Sequence, residues 1–220
     1  MLEAEREQVA AASRRLATAG LVVGTSGNLS VRHGELVAIT PTGADLGTLE
    51  AEHVSVVDRE GRLVWGELAP TSELDLHLGV YGRYDAGAVV HTHSPLATAL
   101  SCVLDELPCV HYQMLLLGGS VRVADYATFG TPELAEAVLA ALEDRTAALM
   151  ANHGAITYGA DVAAAADAAH LLEWACDVYW HACAIGTPRT LDEGQREAVI
   201  AAAVQRGYGT THRVDEERRA

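Results

Sequence analysis

An α/β fold in one domain spanning residues 1–220 follows from three observations. Short apolar runs of strand length alternate with longer amphipathic or alanine-rich stretches of helix length along the chain. At 220 residues, about 70% of the surface exposed by the unfolded chain can be buried, so one core suffices without staples. No repeat, low-complexity tract or linker divides the sequence.

Leu2 to Ala19 sets Val9, Ala12 and Leu16 among charges ahead of Gly20, the pattern of an amphipathic helix with a glycine stop. Four strand-like runs follow: LSVR from Leu29, ELVAIT from Glu35, HVSVVD from His53 and RLVW from Arg62. The last two flank the hairpin turn DREG, and the turn TPTG separates the two pairs. PTSELDLHLGVYGRY predicts a helix starting near Thr71 or Ser72, with proline ahead of it and hydroxyl caps. AGAVVHTH is a buried strand, and SPLATALSCVL predicts another helix. From Thr131, TPELAEAVLAALED is an amphipathic helix and TAALMANHG a buried strand ending at a turn. The alanine-rich stretch from Asp161 to about Gly186 predicts a long helix closed by Pro188. LDEGQREAVIAAAVQRGYG predicts the last helix, followed by a short tail.

Composition excludes several functions. The formal net charge of -15 argues against a nucleic-acid partner, because nonspecific binding needs a basic face. No apolar run approaches the roughly 18 residues of a membrane span, and the charged start MLEAEREQVAAASRR lacks a signal-peptide core, so a cytoplasmic protein is expected. Cys102, Cys109, Cys176 and Cys183 are too few and too widely set for a disulfide scaffold, and they read as small core hydrophobes. All 15 basic residues are arginine. Without lysine no Schiff base can form, which leaves a metal as the obvious electrophile for any carbonyl chemistry. An anionic ligand has to be met by backbone amides, a helix terminus or a metal.

The stretch VVHTHSP ends an apolar strand in two histidines with one threonine between them. Alternation puts His91 and His93 on one face, about 7 Å apart along the chain, where two imidazoles could share a metal ion or make ordinary hydrogen bonds. His153, in MANHGAITYG, ends a second buried strand at a turn. It is either a hydrogen-bonded turn residue or the third ligand of a catalytic site with one open position. Glu73 in PTSELDLH suits a helix start and equally suits a labile metal ligand that acts as general base. His77 reads as packing or as support for that site, since HExxH is absent. The loop GTSGNLS has the small residues that let a backbone approach an oxyanion, although it fits neither Walker A nor the dinucleotide fingerprint. TPTG and PTS are turn and cap chemistry by default.

The order of these pieces, GTSGN, TPTG, PTSE, HTH, HYQMLLLGG, YATFGT, NHG and a tyrosine near the carboxyl terminus, resembles the class II aldolase/adducin-type family over about Gly20 to Val214. Within that family the match is best with its L-fuculose-1-phosphate-cleaving branch. The resemblance implies a three-layer domain with a central mixed, largely antiparallel sheet flanked by helices. It implies one Zn2+ per subunit, or another divalent metal, on His91, His93 and His153, with Glu73 completing the resting shell. Gly27 and Asn28, Thr42 and Gly43, and Thr71 and Ser72 would bind a sugar phosphate from three loops. The implied reaction is reversible cleavage of a ketose 1-phosphate, L-fuculose 1-phosphate or a close analogue, to dihydroxyacetone phosphate and an aldehyde such as lactaldehyde. Glu73 would move the proton, with Tyr112 and Tyr208 as further catalytic residues. The implied assembly is a homotetramer with active sites at subunit interfaces, in which the tail 202–220 carries Tyr208 to a neighbouring subunit.

Two departures bear on the substrate. Thr71 stands where the branch has serine, and Gln205 stands where it has an aromatic residue near the aldehyde pocket. Phe129 in YATFGT fits the pattern. A sugar-phosphate 4-epimerase, a dehydratase and a decarboxylase share the fold and the three histidines and differ in which bond breaks. A non-catalytic adducin-like module, lacking an intact metal set, is the remaining alternative.

Overall fold

The computed structural model describes residues 1–209, and its backbone is organised around one nine-stranded sheet. In chain order the strands are β1 (Asn28–His33), β2 (Leu36–Ile39), β3 (Ser55–Asp58), β4 (Leu63–Trp65), β5 (Ala88–Thr92), β6 (Glu106–Leu107), β7 (Val121–Ala124), β8 (Ala147–Met150) and β9 (Gly154–Gly159). They lie side by side as β4-β3-β2-β1-β5-β9-β8-β7-β6. Every pairing is antiparallel except that of β7 with β8. The sheet is therefore mixed and largely antiparallel, as expected. The helices are α1 (Glu3–Thr18), α2 (Leu74–Arg83), α3 (Pro95–Ser101), α4 (Pro132–Ala141), α5 (Val162–Ile185) and α6 (Glu193–Arg206).

Strand periodicity sorts the central side chains into two layers. Ala88 and Val90 of β5 pack with Val9 and Leu16 of α1 and with Ala165 and Ala169 of α5. Val89 packs on the opposite side with Val80 of α2 and Val138 of α4. β8 divides in the same way: Ala148 and Met150 join the α2/α4 layer, while Ala147 and Leu149 pack with Ala97 of α3 and Leu172 of α5. All five positions of β5 and all four of β8 are buried, so these strands read as continuous apolar runs. His91 shares its strand face with Val89, which directs it toward α2.

Several elements differ from the sequence expectation. α2 begins at Leu74, not Thr71 or Ser72, because Thr71 to Glu73 form a turn in which Thr71 Oγ1 accepts from the Glu73 amide at 3.3 Å. β9 follows β8 through a three-residue turn, a second strand where the sequence predicts only a turn. β6 and β7 are short and were not anticipated, nor was the 3-10 segment Tyr112–Leu117. Cys109 and Cys176 are core residues, but Cys102 and Cys183 are exposed, the first at the end of α3 and the second on an outward face of α5. α6 has no buried residue and carries a capping box between Asp192 and Gln195. Of the tail 202–220, residues 210–220 lie outside the described residues.

Candidate metal centre and substrate cleft

His91 lies in β5, and His93 follows one residue past its end. His153 sits in the turn joining β8 to β9, where its amide donates to the Met150 carbonyl at 3.0 Å and Asn152 takes a left-handed φ of 55°. Gly154 makes the meeting of these strand ends possible. A Cβ there would lie 2.3 Å from the Thr92 carbonyl and 3.3 Å from His93 Cδ2, so any side chain would push β9 away from β5. The three rings form a nearly equilateral triangle, with centroids 4.8, 4.9 and 5.0 Å apart.

The ring nitrogens call for a cation. His91 Nδ1 donates to the Ala155 carbonyl at 2.9 Å, which leaves Nε2 as a lone pair in the neutral ring. That lone pair faces His93 Nε2 at 2.9 Å, an unfavourable contact unless a proton or a metal ion lies between them. The possible ligand atoms of His91, His93 and His153 all fall within 4.8 Å of one another. Glu73 closes the group: Oε2 is 3.2 Å from His91 Nε2, and Oε1 is 3.4 Å from His153 Nε2. Oε1 is buried and has no hydrogen-bond partner among the described residues. Two donors on one tetrahedral zinc lie about 3.3 Å apart, close to these separations. The donor set therefore fits a divalent ion such as zinc.

The electrostatics agree. Burial raises the Glu73 carboxyl pKa, but His91, the Asn28 hydrogen bond and His153 outweigh it and hold the group ionised, well below the usual carboxylate range. Burial and the neighbouring imidazoles push His93 down to about 4, and burial with His91 does the same to His153. Both rings are neutral at pH 7, as ligands must be. Burial lowers His91, yet Glu73 and the Ala155 carbonyl more than compensate and raise it. His91 is thus the ring that holds a proton against Glu73 when no metal competes.

His93, His153 and Glu73 line a cleft of about 290 Å³, with the fully buried His91 behind them. Its walls are the three loops singled out in the sequence: Thr25 to Asn28, Pro41 to Gly43 and Thr71 to Glu73. Thr42 N donates to the Ala69 carbonyl and Thr71 N to the Thr40 carbonyl, both at 3.0 Å, so the second and third loops are zipped together. Gly27, Asn28, Thr42, Gly43, Thr71 and Ser72 all line the cleft, and among the described residues no arginine does. Among the described residues, the amides of Gly27, Gly43 and Ser72 take no hydrogen-bond partner. Tyr126 and Phe129, two-thirds exposed, stand at the rim, and sequence reasoning missed Tyr126.

Two side chains of these loops turn inward. Glu73 takes the N-cap position of α2, but its carboxylate accepts no hydrogen bond from the helix amides and turns to the histidines, and no Thr71 or Ser72 hydroxyl caps the helix. The Asn28 side chain is committed within the protein, donating from Nδ2 to Glu73 Oε2 at 2.8 Å and facing His77 Nε2 through Oδ1 at 2.5 Å. Tyr112 and Tyr208 do not line the cleft of their own chain. Their hydroxyls are 3.1 Å apart, and they border a separate, largely apolar groove between the 3-10 segment and α6.

Comparison with known proteins agrees with this geometry. Residues 7–180 match the family model described as Class II Aldolase and Adducin N-terminal domain. A 5-deoxy-D-ribulose 1-phosphate aldolase of Bacillus thuringiensis is 39% identical over 95% of this chain and 99% of its own. A 5-methylthioribulose-1-phosphate/5-deoxyribulose-1-phosphate aldolase of Rhodospirillum rubrum is 41% identical over 86% of both chains. A solved L-fuculose 1-phosphate aldolase superposes with a TM-score of 0.87 at 35% identity, covering 90% of this chain and 95% of that one. With the family model spanning most of its length and near full-length relatives above 30% identity, the chain belongs to the class II aldolase and adducin family.

Proposed function

We propose that this protein is a metal-dependent aldolase that cleaves a ketose 1-phosphate to dihydroxyacetone phosphate and a short aldehyde. The observation that carries the reading is the meeting of His91, His93, His153 and Glu73 beside a cleft that the last three line and whose walls are three donor-bearing loops. A divalent ion held by the three imidazoles and, at rest, by Glu73 supplies an electrophile for the substrate carbonyl and for the negative charge that develops beside it. The rest falls to the chain's own groups. The amides of Gly27, Gly43 and Ser72 and the hydroxyls of Thr42, Thr71 and Ser72 hold the phosphate, so an acidic protein without lysine binds an anion with no arginine among the described residues of the cleft. Glu73, buried and ionised, is the base that moves the proton at the carbon next to the carbonyl.

The relatives narrow the substrate. L-fuculose 1-phosphate and 5-deoxyribulose 1-phosphate both end in a methyl group, and methylthioribulose 1-phosphate ends in a methylthio group. Counting carbons from the cleaved bond, the leaving aldehydes are lactaldehyde, acetaldehyde and methylthioacetaldehyde. The exposed rings of Tyr126 and Phe129 at the rim offer an apolar surface for such an end. We place a 5-deoxypentulose 1-phosphate first, because the relatives that act on it align over more of this chain. Tyr112 and Tyr208 would serve the cleft of a neighbouring subunit in a homotetramer, a reading supported by their pairing on a groove apart from their own cleft.

The test is a panel of 5-deoxyribulose, fuculose, rhamnulose and ribulose 1-phosphates and ribulose 5-phosphate, with dihydroxyacetone phosphate release as the readout. Release from at least one deoxyketose 1-phosphate is expected. Silence on every 1-phosphate would overturn the aldolase reading in favour of an epimerase, dehydratase or decarboxylase.

A further inference from the structure

A continuous line of hydrogen bonds runs from the interior of the sheet to Glu73. Tyr81 Oη lies 2.7 Å from Ser30 Oγ, which lies 2.7 Å from His77 Nδ1. His77 Nε2 lies 2.5 Å from Asn28 Oδ1, and Asn28 Nδ2 donates to Glu73 Oε2 at 2.8 Å. All five residues are buried. Two alternate positions of β1, Asn28 and Ser30, face two positions of α2 four residues apart, His77 and Tyr81, so strand and helix periods bring the four together.

With Glu73 ionised, each bond in the line takes its direction from the one before it. The ionised Glu73 carboxylate only accepts, so Asn28 must turn its amide nitrogen toward it. Asn28 Oδ1, which also only accepts, then faces His77 and requires a proton on Nε2. His77 is fully enclosed, and burial pushes it down to about 3, so the ring is neutral and Nδ1 is a lone pair. Ser30 therefore donates to Nδ1, and its oxygen accepts from Tyr81. A flipped Asn28 would set its carbonyl against a carboxylate at one end and leave its amide nitrogen facing the His77 N–H at the other.

We propose that Tyr81, Ser30 and His77 form a polarity lock that fixes Asn28 as a hydrogen-bond donor toward the cleft, making Asn28 a positioning residue for Glu73. The lock anchors Oε2 and leaves Oε1, which takes no hydrogen-bond partner among the described residues, as the oxygen that moves the proton. This division of labour rests on the aldolase reading of Glu73. The lock itself does not, because its direction can be observed without turnover.

The experiment is a nitrogen-15 spectrum of the histidine side chains in the metal-loaded protein, with His77 assigned through His77→Gln. The expected result is a neutral His77 ring protonated on Nε2. A ring protonated on Nδ1, or on both nitrogens at pH 7, would overturn the lock. Ser30→Ala breaks the line behind Asn28 without touching the cleft. It is expected to lower kcat about 10- to 100-fold while KM and metal content change little, with a lower melting temperature from the polar groups left unpaired behind it and His77 still protonated on Nε2 toward Asn28. Unchanged kcat would also overturn the proposal. A protein inactive on every ketose phosphate would end the aldolase reading but leave the tautomer result as the test of the lock. A wrong tautomer in an active aldolase would end the lock alone.

Discussion

Glu73 faces two imidazoles with opposite tendencies. His91 is raised by the carboxylate, whereas His153 is pushed down to about 4 by burial and by His91. A metal entering this group must displace the proton of His91, so its apparent affinity should rise with pH until His91 is deprotonated and level off above that point. Titrating the metal-free protein with zinc between pH 6 and 9 checks this, and an affinity that falls with rising pH would contradict it. Glu73→Gln keeps the shape of the side chain but removes the base. It is expected to keep the metal and lower kcat about 10²-fold or more, read by metal analysis beside steady-state kinetics. The spacing HTH is legible as two imidazoles on one face because strand alternation is a local rule. The link from Asn28 to His77 is not legible, because its partners are 49 residues apart and neither residue type has that contact as its default.

At the scale of the element, the site depends on how closely β9 and β5 approach. Gly154→Ala would set a methyl group 2.3 Å from the Thr92 carbonyl. The strands must part, at about 1–3 kcal/mol of overpacking, and His153 moves with the turn. A lower melting temperature together with lost metal is expected, and full metal content at unchanged stability would contradict this account. The helices and most strands can be read from periodicity, as in TPELAEAVLAALED, whose Thr131 caps α4. The misses share a physical cause. β6 has two residues and β7 four, too short for a pattern, and β9 follows β8 with only a turn between two buried runs. α2 starts late because Thr71 to Glu73 are held as a turn that aims Glu73 at the histidines, a tertiary demand that overrides the local cap.

At the scale of the molecule, the cleft and the tyrosine groove are separate surfaces of one chain. If Tyr208 completes the cleft of a neighbour, mixing an inactive Tyr208→Phe variant with an inactive His93→Ala variant should restore part of the activity, because some clefts then carry both residues. Complete failure in confirmed mixed oligomers would contradict this arrangement. The seven ordered motifs make the family readable from the sequence, since six of them close on one cleft while lying far apart along the chain. The aldehyde is less readable, because the surface proposed to meet it consists of a few exposed side chains, Tyr126 and Phe129, at the rim. The central claim is that carbon–carbon cleavage here needs a metal held by His91, His93 and His153. It is tested most directly by following dihydroxyacetone phosphate release from 5-deoxyribulose 1-phosphate with the protein as purified, after chelation, and after zinc is restored. Release that is lost on chelation and returns with zinc is predicted; release that survives full removal of the metal would contradict the account.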